Sequence, residues 1–248
     1  MSIVRDFLPM TSCGHVVRSE AGKVARALAK NVQATRAIGR IDARTLRAAL
    51  ASLSTVACGE SGAAVGGYVV LTTAAAGWTS VIVDSAEPGR HWQDNLRLSD
   101  ALSTRVVYYS FQPHTYRKRA GRELGRYGAY HLTIADRGEL VRSVGIYHDD
   151  IWTQAARRRW RFYAEGKLQT FERAAVYRAR RAEDRFGPAL LVEYLAALGL
   201  SPFDDTFYSA SGSVRGYRVY SAWYPTAKRI GLKSLRAKNG PFDLAVDR

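Results

Sequence analysis

Cysteine is scarce. Only Cys13 and Cys58 occur in 248 residues, and neither has a CxxC partner. That excludes a disulfide framework and a sequence-encoded zinc site, and it is the usage of a reducing compartment. Long apolar runs are missing as well. The longest weakly polar stretch, GGYVVLTTAAAGW, is too short to cross a bilayer and reads as a strand and turn. The opening MSIVRDFLPMTSCGH lacks the basic-led apolar segment of a leader, so the expectation is a cytoplasmic chain without a membrane span. No low-complexity tract and no internal period occurs, which excludes a disordered chain and a solenoid. Catalytic signatures are equally thin. There is no GxSxG elbow, and GESGAAVGG (59–67) lacks the Lys-Ser/Thr of a P-loop and precedes a strand instead of opening a helix. No cofactor is expected.

What is present is an ordinary globular composition, 47% hydrophobic and 24% charged, enough for one large domain or two small ones. The formal charge of +15 is unevenly placed. Residues 1–104 carry 11 basic and 8 acidic side chains, net +3, whereas residues 105–248 carry 26 and 14, net +12. A field of this sign attracts nucleic acid, an anionic membrane surface or an acidic protein.

Periodicity predicts helices over SEAGKVARALAKN, with Ser19 as cap, and over DARTLRAALASLSTVA, with Asp42 as cap and Leu46, Leu50 and Leu53 on one stripe. From Gly66 the period changes. GGYVVL and WTSVIVD read as a hairpin, HWQDNLRLSDALST as a helix, RVVYYSF as a strand, and AYHLTI with ELVRSV as a second hairpin about Asp136-Arg137-Gly138. WRFYA and KLQTF read as a third hairpin about Glu165-Gly166, with a helix through DIWTQAARRRWRFYAEG as the alternative. GPALLVEYLAALGLSP is the clearest helix, with Pro188 in its first turn and Gly199 at its stop. GYRVYSAWY reads as a strand and TAKRIGLKSLRAKNGP as a basic helix. Strands arriving in hairpin pairs predict an α+β fold, its mainly antiparallel sheet flanked by helices. A boundary is placed between an α+β region, 1–148, and a basic α/β region, 149–248, the second either separate or packed with the first as one unit.

The basic clusters are the strongest functional signal. YRKRAGRELGRY holds Arg117, Lys118, Arg119, Arg122 and Arg126 between Tyr116 and Tyr127, and RRRWR places Arg157, Arg158, Arg159 and Arg161 around Trp160. Arg178, Arg180, Arg181 and Arg185 form a third group. Arginine with interleaved aromatics suits protein interface anchors, and it equally suits phosphate contact with base stacking. The bland alternative is an Arg-rich chain whose charges simply face water. No helix-turn-helix, RNP or zinc-finger pattern accompanies the charge. Two acidic pairs, Asp149-Asp150 beside His148 and Asp204-Asp205, raise a metal-dependent hydrolase as a further reading, although adjacent residues on an extended chain point to opposite faces and Asp204-Asp205 follows a helix stop, where a cap is the simpler role. Cys13-Gly14-His15 is a weak thiol–imidazole pairing.

Residues 66–144, GGYVVL…GWTSVIVD…NLRLSDALSTRVVYYSF…YHLTIADRGELVRS, run hairpin, helix, strand, hairpin. WRFYAEGKLQTFE…YRARRAEDRFGPALLVEYLAALGLSPFDDTFY then joins a basic link to an amphipathic helix and a Pro-Phe-Asp turn. This layout resembles small bacterial immunity-type proteins of toxin systems. The resemblance implies a cytoplasmic, non-catalytic protein that occludes a protein partner; most such proteins are acidic, so a basic one implies an acidic partner. The order of expectations is therefore a protein-binding chain of immunity or defence type, then a DNA- or RNA-binding protein using the same surface, then a hydrolase. The binding residues expected are Tyr116, Arg117, Lys118, Arg119, Arg122, Arg126, Arg157, Arg158, Trp160 and Arg161.

Overall fold

A computed structural model of the chain describes residues 3–8, 10–31, 35–58, 66–85, 93–119, 122–148, 159–208, 213–221 and 228–239. A nine-stranded antiparallel sheet organises them. Its strands are β1 (Cys13–Val17), β2 (Thr35–Ala43), β4 (Gly67–Thr72), β5 (Thr79–Asp84), β6 (Arg105–Gln112), β9 (Ala129–Asp136), β10 (Glu139–His148), β11 (Trp160–Gly166) and β12 (Val214–Ser221). They lie in the order β11-β10-β9-β6-β1-β5-β4-β12-β2. Two short ladders stand beside it: β3 (Thr55–Cys58) with β13 (Lys228–Gly231), and β7 (Arg117–Arg119) with β8 (Arg122–Leu124). The helices are α1 (Ile3–Asp6), α2 (Ala21–Asn31), α3 (Leu46–Leu50), α4 (Asp94–Ala101), α5 (Pro188–Ala197) and α6 (Leu232–Asn239). The fold is α+β, as the hairpin-paired strands predict.

Alternation along each strand sends side chains to two separate cores. One face presents Val16, Ile82, Val107, Tyr109, Leu132 and Val144 to Leu50 of α3, Leu191 and Leu195 of α5 and Leu235 of α6. The opposite face presents Val17, Val70, Val81, Val106 and Val219 to Val24 and Leu28 of α2 and Leu98 of α4. The sheet is thus a middle layer with helices on both sides. Strands from both sides of residue 148 share it, β11 on β10 and β12 between β4 and β2. The hairpin of β9 and β10 turns at Arg137-Gly138, both at positive φ (52° and 83°), the backbone that a two-residue turn of this hand requires. Among the described residues no helix is long and apolar enough to cross a membrane.

Several elements depart from the sequence reading, and tertiary pairing explains each departure. Asp42 does not cap a helix. It belongs to β2, opposite Arg215 of β12, and Thr45 caps α3 instead, its Oγ1 accepting from Ala48 N at 3.2 Å. The stripe of Leu46, Leu50 and Leu53 is buried as its spacing predicts, but the helix is short and runs through a 3-10 turn (Ala51–Ser54) into β3. β2 itself is invisible in TRAIGRIDA, because Ile38 and Ile41 are three apart and fall on opposite faces of a strand. The third hairpin does not form: β11 pairs with β10 over Arg142–His148, and Lys167 donates its amide to Val141 O instead of beginning a strand. Lys228–Gly231, read as helix, is β13 on β3, with Ile230 packed against the core and the helix beginning only at Leu232. Of the alternative helix over 150–166, residues 150–158 lie outside the described residues, and Trp160–Gly166 is the strand β11, because its backbone pairs with β10.

Candidate functional site

The chain leaves β6 at Gln112 and returns to β9 at Ala129, and the segments between run side by side. Thr115 N and Tyr116 N both donate to Arg126 O at 2.9 Å, Arg126 N donates to Thr115 Oγ1 at 3.0 Å, and Gln112 Nε2 donates to Tyr127 O at 2.5 Å. Gly125 makes this stem possible. Its φ is +86°, and a Cβ there would collide with the carbonyl of Thr115. Above the stem, the stretch read as a basic loop is the β7–β8 ladder, with Arg117 opposite Leu124 and Arg119 opposite Arg122.

The stem positions a set of rings. Tyr116 stacks on Tyr127 with centroids 4.3 Å apart and planes 20° off parallel, and Tyr127 stacks on His148 at 5.0 Å and 14°. His114 lies 4.9 Å from His148 and 5.6 Å from Trp160, which meets His148 edge-on at 5.7 Å. Trp160 also lies parallel to Tyr130 at 6.4 Å. Gly128 leaves room for this: a side chain there would occupy the space of the Trp160 ring. Gly128 N donates to His114 Nδ1 at 3.1 Å and its carbonyl accepts from His148 N at 3.0 Å, so one residue holds the His114 ring and the His148 backbone. With Nδ1 accepting, the His114 ring carries its proton on Nε2. Burial, and then the neighbouring His148, lowers the His114 pKa. Burial also pushes the Tyr130 phenol up to about 12.

Two of the predicted clusters therefore meet. Tyr116, Arg117 and Arg126 come from the β6–β9 connection and Trp160 from the start of β11; Arg161, next in that strand, falls on the opposite face with Tyr147 and Tyr163. β10 bridges them, with His148 in register with Trp160 and Tyr147 with Arg161. Arg117, Arg159 and Arg161 are exposed, while Tyr116, Arg126, Tyr127 and Trp160 are half-buried. Lys118, Arg119 and Arg122 lie in the β7–β8 ladder. Arg157 and Arg158 lie outside the described residues. The arginines of the third cluster face solvent at 178, 180 and 181, and Arg185 lies 5.8 Å above the Phe162 ring. His114 was not singled out by the sequence, and His148 was noticed only beside acidic residues. No local pattern announces either, because their partners are 12 to 46 residues away along the chain.

No family model, curated protein or solved structure matches the chain. Its function has to be argued from its own side chains.

Of the two acidic pairs, Asp204-Asp205 is engaged in backbone caps. Asp205 accepts the amides of Ile3 and Val4 at 2.6 and 2.8 Å, and Asp204 accepts from the amide and hydroxyl of Thr206 at 2.9 and 2.8 Å. Asp204 is the turn cap that the sequence reading expects, whereas Asp205 caps α1 from the other end of the chain. Asp149 and Asp150 lie outside the described residues, and among those described no group of three or more His, Cys, Asp or Glu side chains converges as a metal site would. On the sheet face opposite the rings, Cys13 Sγ sits 3.1 Å from Ser110 Oγ, and burial raises its thiol pKa, the reverse of what thiolate chemistry requires. Beside it, His131 Nδ1 lies 2.6 Å from Tyr163 Oη, and burial lowers that imidazole to about 4.

Proposed function

We propose that the chain is a non-catalytic binding protein of immunity or defence type that occludes an acidic protein partner in the bacterial cytoplasm. Its binding surface is the end of the sheet where the β6–β9 connection meets β11. The observation that carries this reading is the meeting of Tyr116, Tyr127, His148 and Trp160 in one packed cluster, with the exposed Arg117 next in the chain to Tyr116. Rings that are already packed against one another have lost their rotamer freedom before a partner arrives, so binding costs less ordering entropy. Trp, Tyr and Arg are also the side chains in which interface energy concentrates. The same packing favours protein over nucleic acid. Base stacking needs open ring faces, whereas the faces of Tyr127 are taken by Tyr116 and His148. Arg117 then supplies attraction and orientation toward a surface of opposite sign.

The test is retention of a partner from nuclease-treated extract of the source cells, comparing the tagged wild-type chain with a Tyr116→Ala/Arg117→Glu variant. The expected result is one protein held by the wild type and lost by the variant, both melting at the same temperature. Retention that vanishes on nuclease treatment, or that is equal in the two chains, overturns the proposal.

A further inference from the structure

On the face of the sheet opposite the ring cluster, α2 and α4 pack over Val70, Val81 and Val106 and leave a groove between them. Its volume is about 330 Å³, within the range of small-molecule sites, about 300 to 1,000 Å³. Lys23, Arg26 and Lys30 line it from α2, three and then four residues apart and therefore on one helix face. Ala27 lies between them, and Ala101 and Leu102 line it from the end of α4. The small side chains at 27 and 101 keep the groove open. Among the described residues no carboxylate lines it.

The fold supplies little to neutralise these cations. Lys23 has a distant partner in Glu20, 3.9 Å away, and both side chains are exposed. Arg26 and Lys30 make no ion pair or side-chain hydrogen bond among the described residues. α4 has two carboxylates, and both are turned elsewhere. Asp94 accepts from the Tyr68 hydroxyl at 3.0 Å, and Asp100 lies against Gly138 of the β9–β10 turn. Arg26 is seated over Gly22, its Nη1 3.5 Å from where a Cβ would stand. Lys23 stands in the first turn of α2, where the helix dipole disfavours a cation, and like charges one turn apart repel. The three cations thus work against the helix that carries them, and an anion held among them removes that repulsion.

We propose that this groove binds a small ligand carrying two or three linked phosphates. Along the helix axis the three cations are spaced by about 4.5 and 6 Å. A lone phosphate brings one centre of charge, whereas linked phosphates repeat theirs along the row as the cations do. Arg26 supplies a planar fork that takes two phosphate oxygens at once, and the two lysines act as mobile point charges on either side. No aromatic ring lines the groove among the described residues, which argues against a nucleic-acid strand, whose bases need a surface on which to stack. Inorganic oligophosphate and a nucleoside polyphosphate offer the same chemistry, and titration separates them.

The test is calorimetric titration of the wild-type chain at about 0.15 M salt with inorganic triphosphate and, separately, with adenosine triphosphate. Saturable one-to-one binding of either is the expected result; a free oligophosphate is the ligand unless the nucleotide binds at least tenfold tighter. Arg26→Gln/Lys30→Gln should weaken binding at least tenfold with an unchanged melting temperature. Ala101→Phe, which fills the groove and leaves every charge in place, should do the same. Arg180→Gln/Arg181→Gln removes as much charge from an exposed segment before α5 and should leave binding as it was. No saturable binding, binding of a single phosphate ion as tight as that of triphosphate, or binding unchanged in either groove variant overturns the proposal. So does an equal loss in the Arg180→Gln/Arg181→Gln chain, or tighter binding of single-stranded oligothymidylate.

Discussion

His131 is the side chain whose titration most directly couples to folding. Its ring lies beneath the sheet beside Tyr163, and burial holds its pKa at about 4, below the ordinary histidine value. The unfolded chain therefore takes up this proton at a higher pH than the folded one. Above about pH 6.5 the ring is neutral in both states and contributes no slope; between about 6.5 and 4 stability falls as pH falls. Because the ring is partly accessible, the loss is discounted to roughly 2 kcal/mol. Urea unfolding of the wild type and His131→Asn at pH 7 and pH 4.5 should show the wild type losing more than the variant by that amount; equal losses would refute it. Asp205 gives a second residue-scale expectation. It ties Ile3 and Val4 to the turn after α5 through two backbone amides, so Asp205→Ala should cost about 1 to 2 kcal/mol, as the loss of a helix cap does, in the same measurement.

At the scale of elements, the stem below the β7–β8 ladder decides whether the basic and aromatic side chains share a surface. Gly125→Ala places a Cβ at positive φ against the carbonyl of Thr115, a strain of about 1 to 3 kcal/mol that the stem can relieve only by opening. Hydrogen exchange should quicken at the amides of Thr115 and Tyr116, which bond to Arg126 O, while the amides of β6 and β9 stay protected. Unchanged exchange at these two amides would show that the stem does not depend on the left-handed turn. This segment was legible in the sequence as a basic stretch between two tyrosines. That it would become a stacked stem could not be read there, because Tyr127 finds its second stacking partner, His148, on another hairpin.

Across the whole molecule, the pair Arg142–Glu172 binds the chain that follows β11 back to the sheet. The two side chains are 5% and 0% exposed, with Nη2 and Oε2 2.7 Å apart; Arg142 Nη1 also donates to Gly166 O, and Tyr177 donates to the same carboxylate at 2.6 Å. Removing one partner strands a buried charge. Arg142→Met should destabilise by about 3 to 5 kcal/mol, and Arg142→Met/Glu172→Leu should recover much of that loss. Chemical denaturation of both variants is the check, and a double variant no more stable than the single one would contradict it.

The sequence by itself determined the elements whose signal is local: the β4–β5 and β9–β10 hairpins, the stripe of α5, the solvent-facing arginines and the basic excess after residue 105. Each follows from side-chain period, turn chemistry or charge, which neighbouring residues supply. Only the tertiary structure decided that TRAIGRIDA is a strand, that WRFYA joins β10 instead of KLQTF, and that Trp160 lies beside His114 and His148. A sheet edge accepts whichever segment satisfies its unpaired backbone groups, and an aromatic ring packs wherever burial is available. Both choices depend on contacts between residues far apart along the chain, and no local window of sequence contains them.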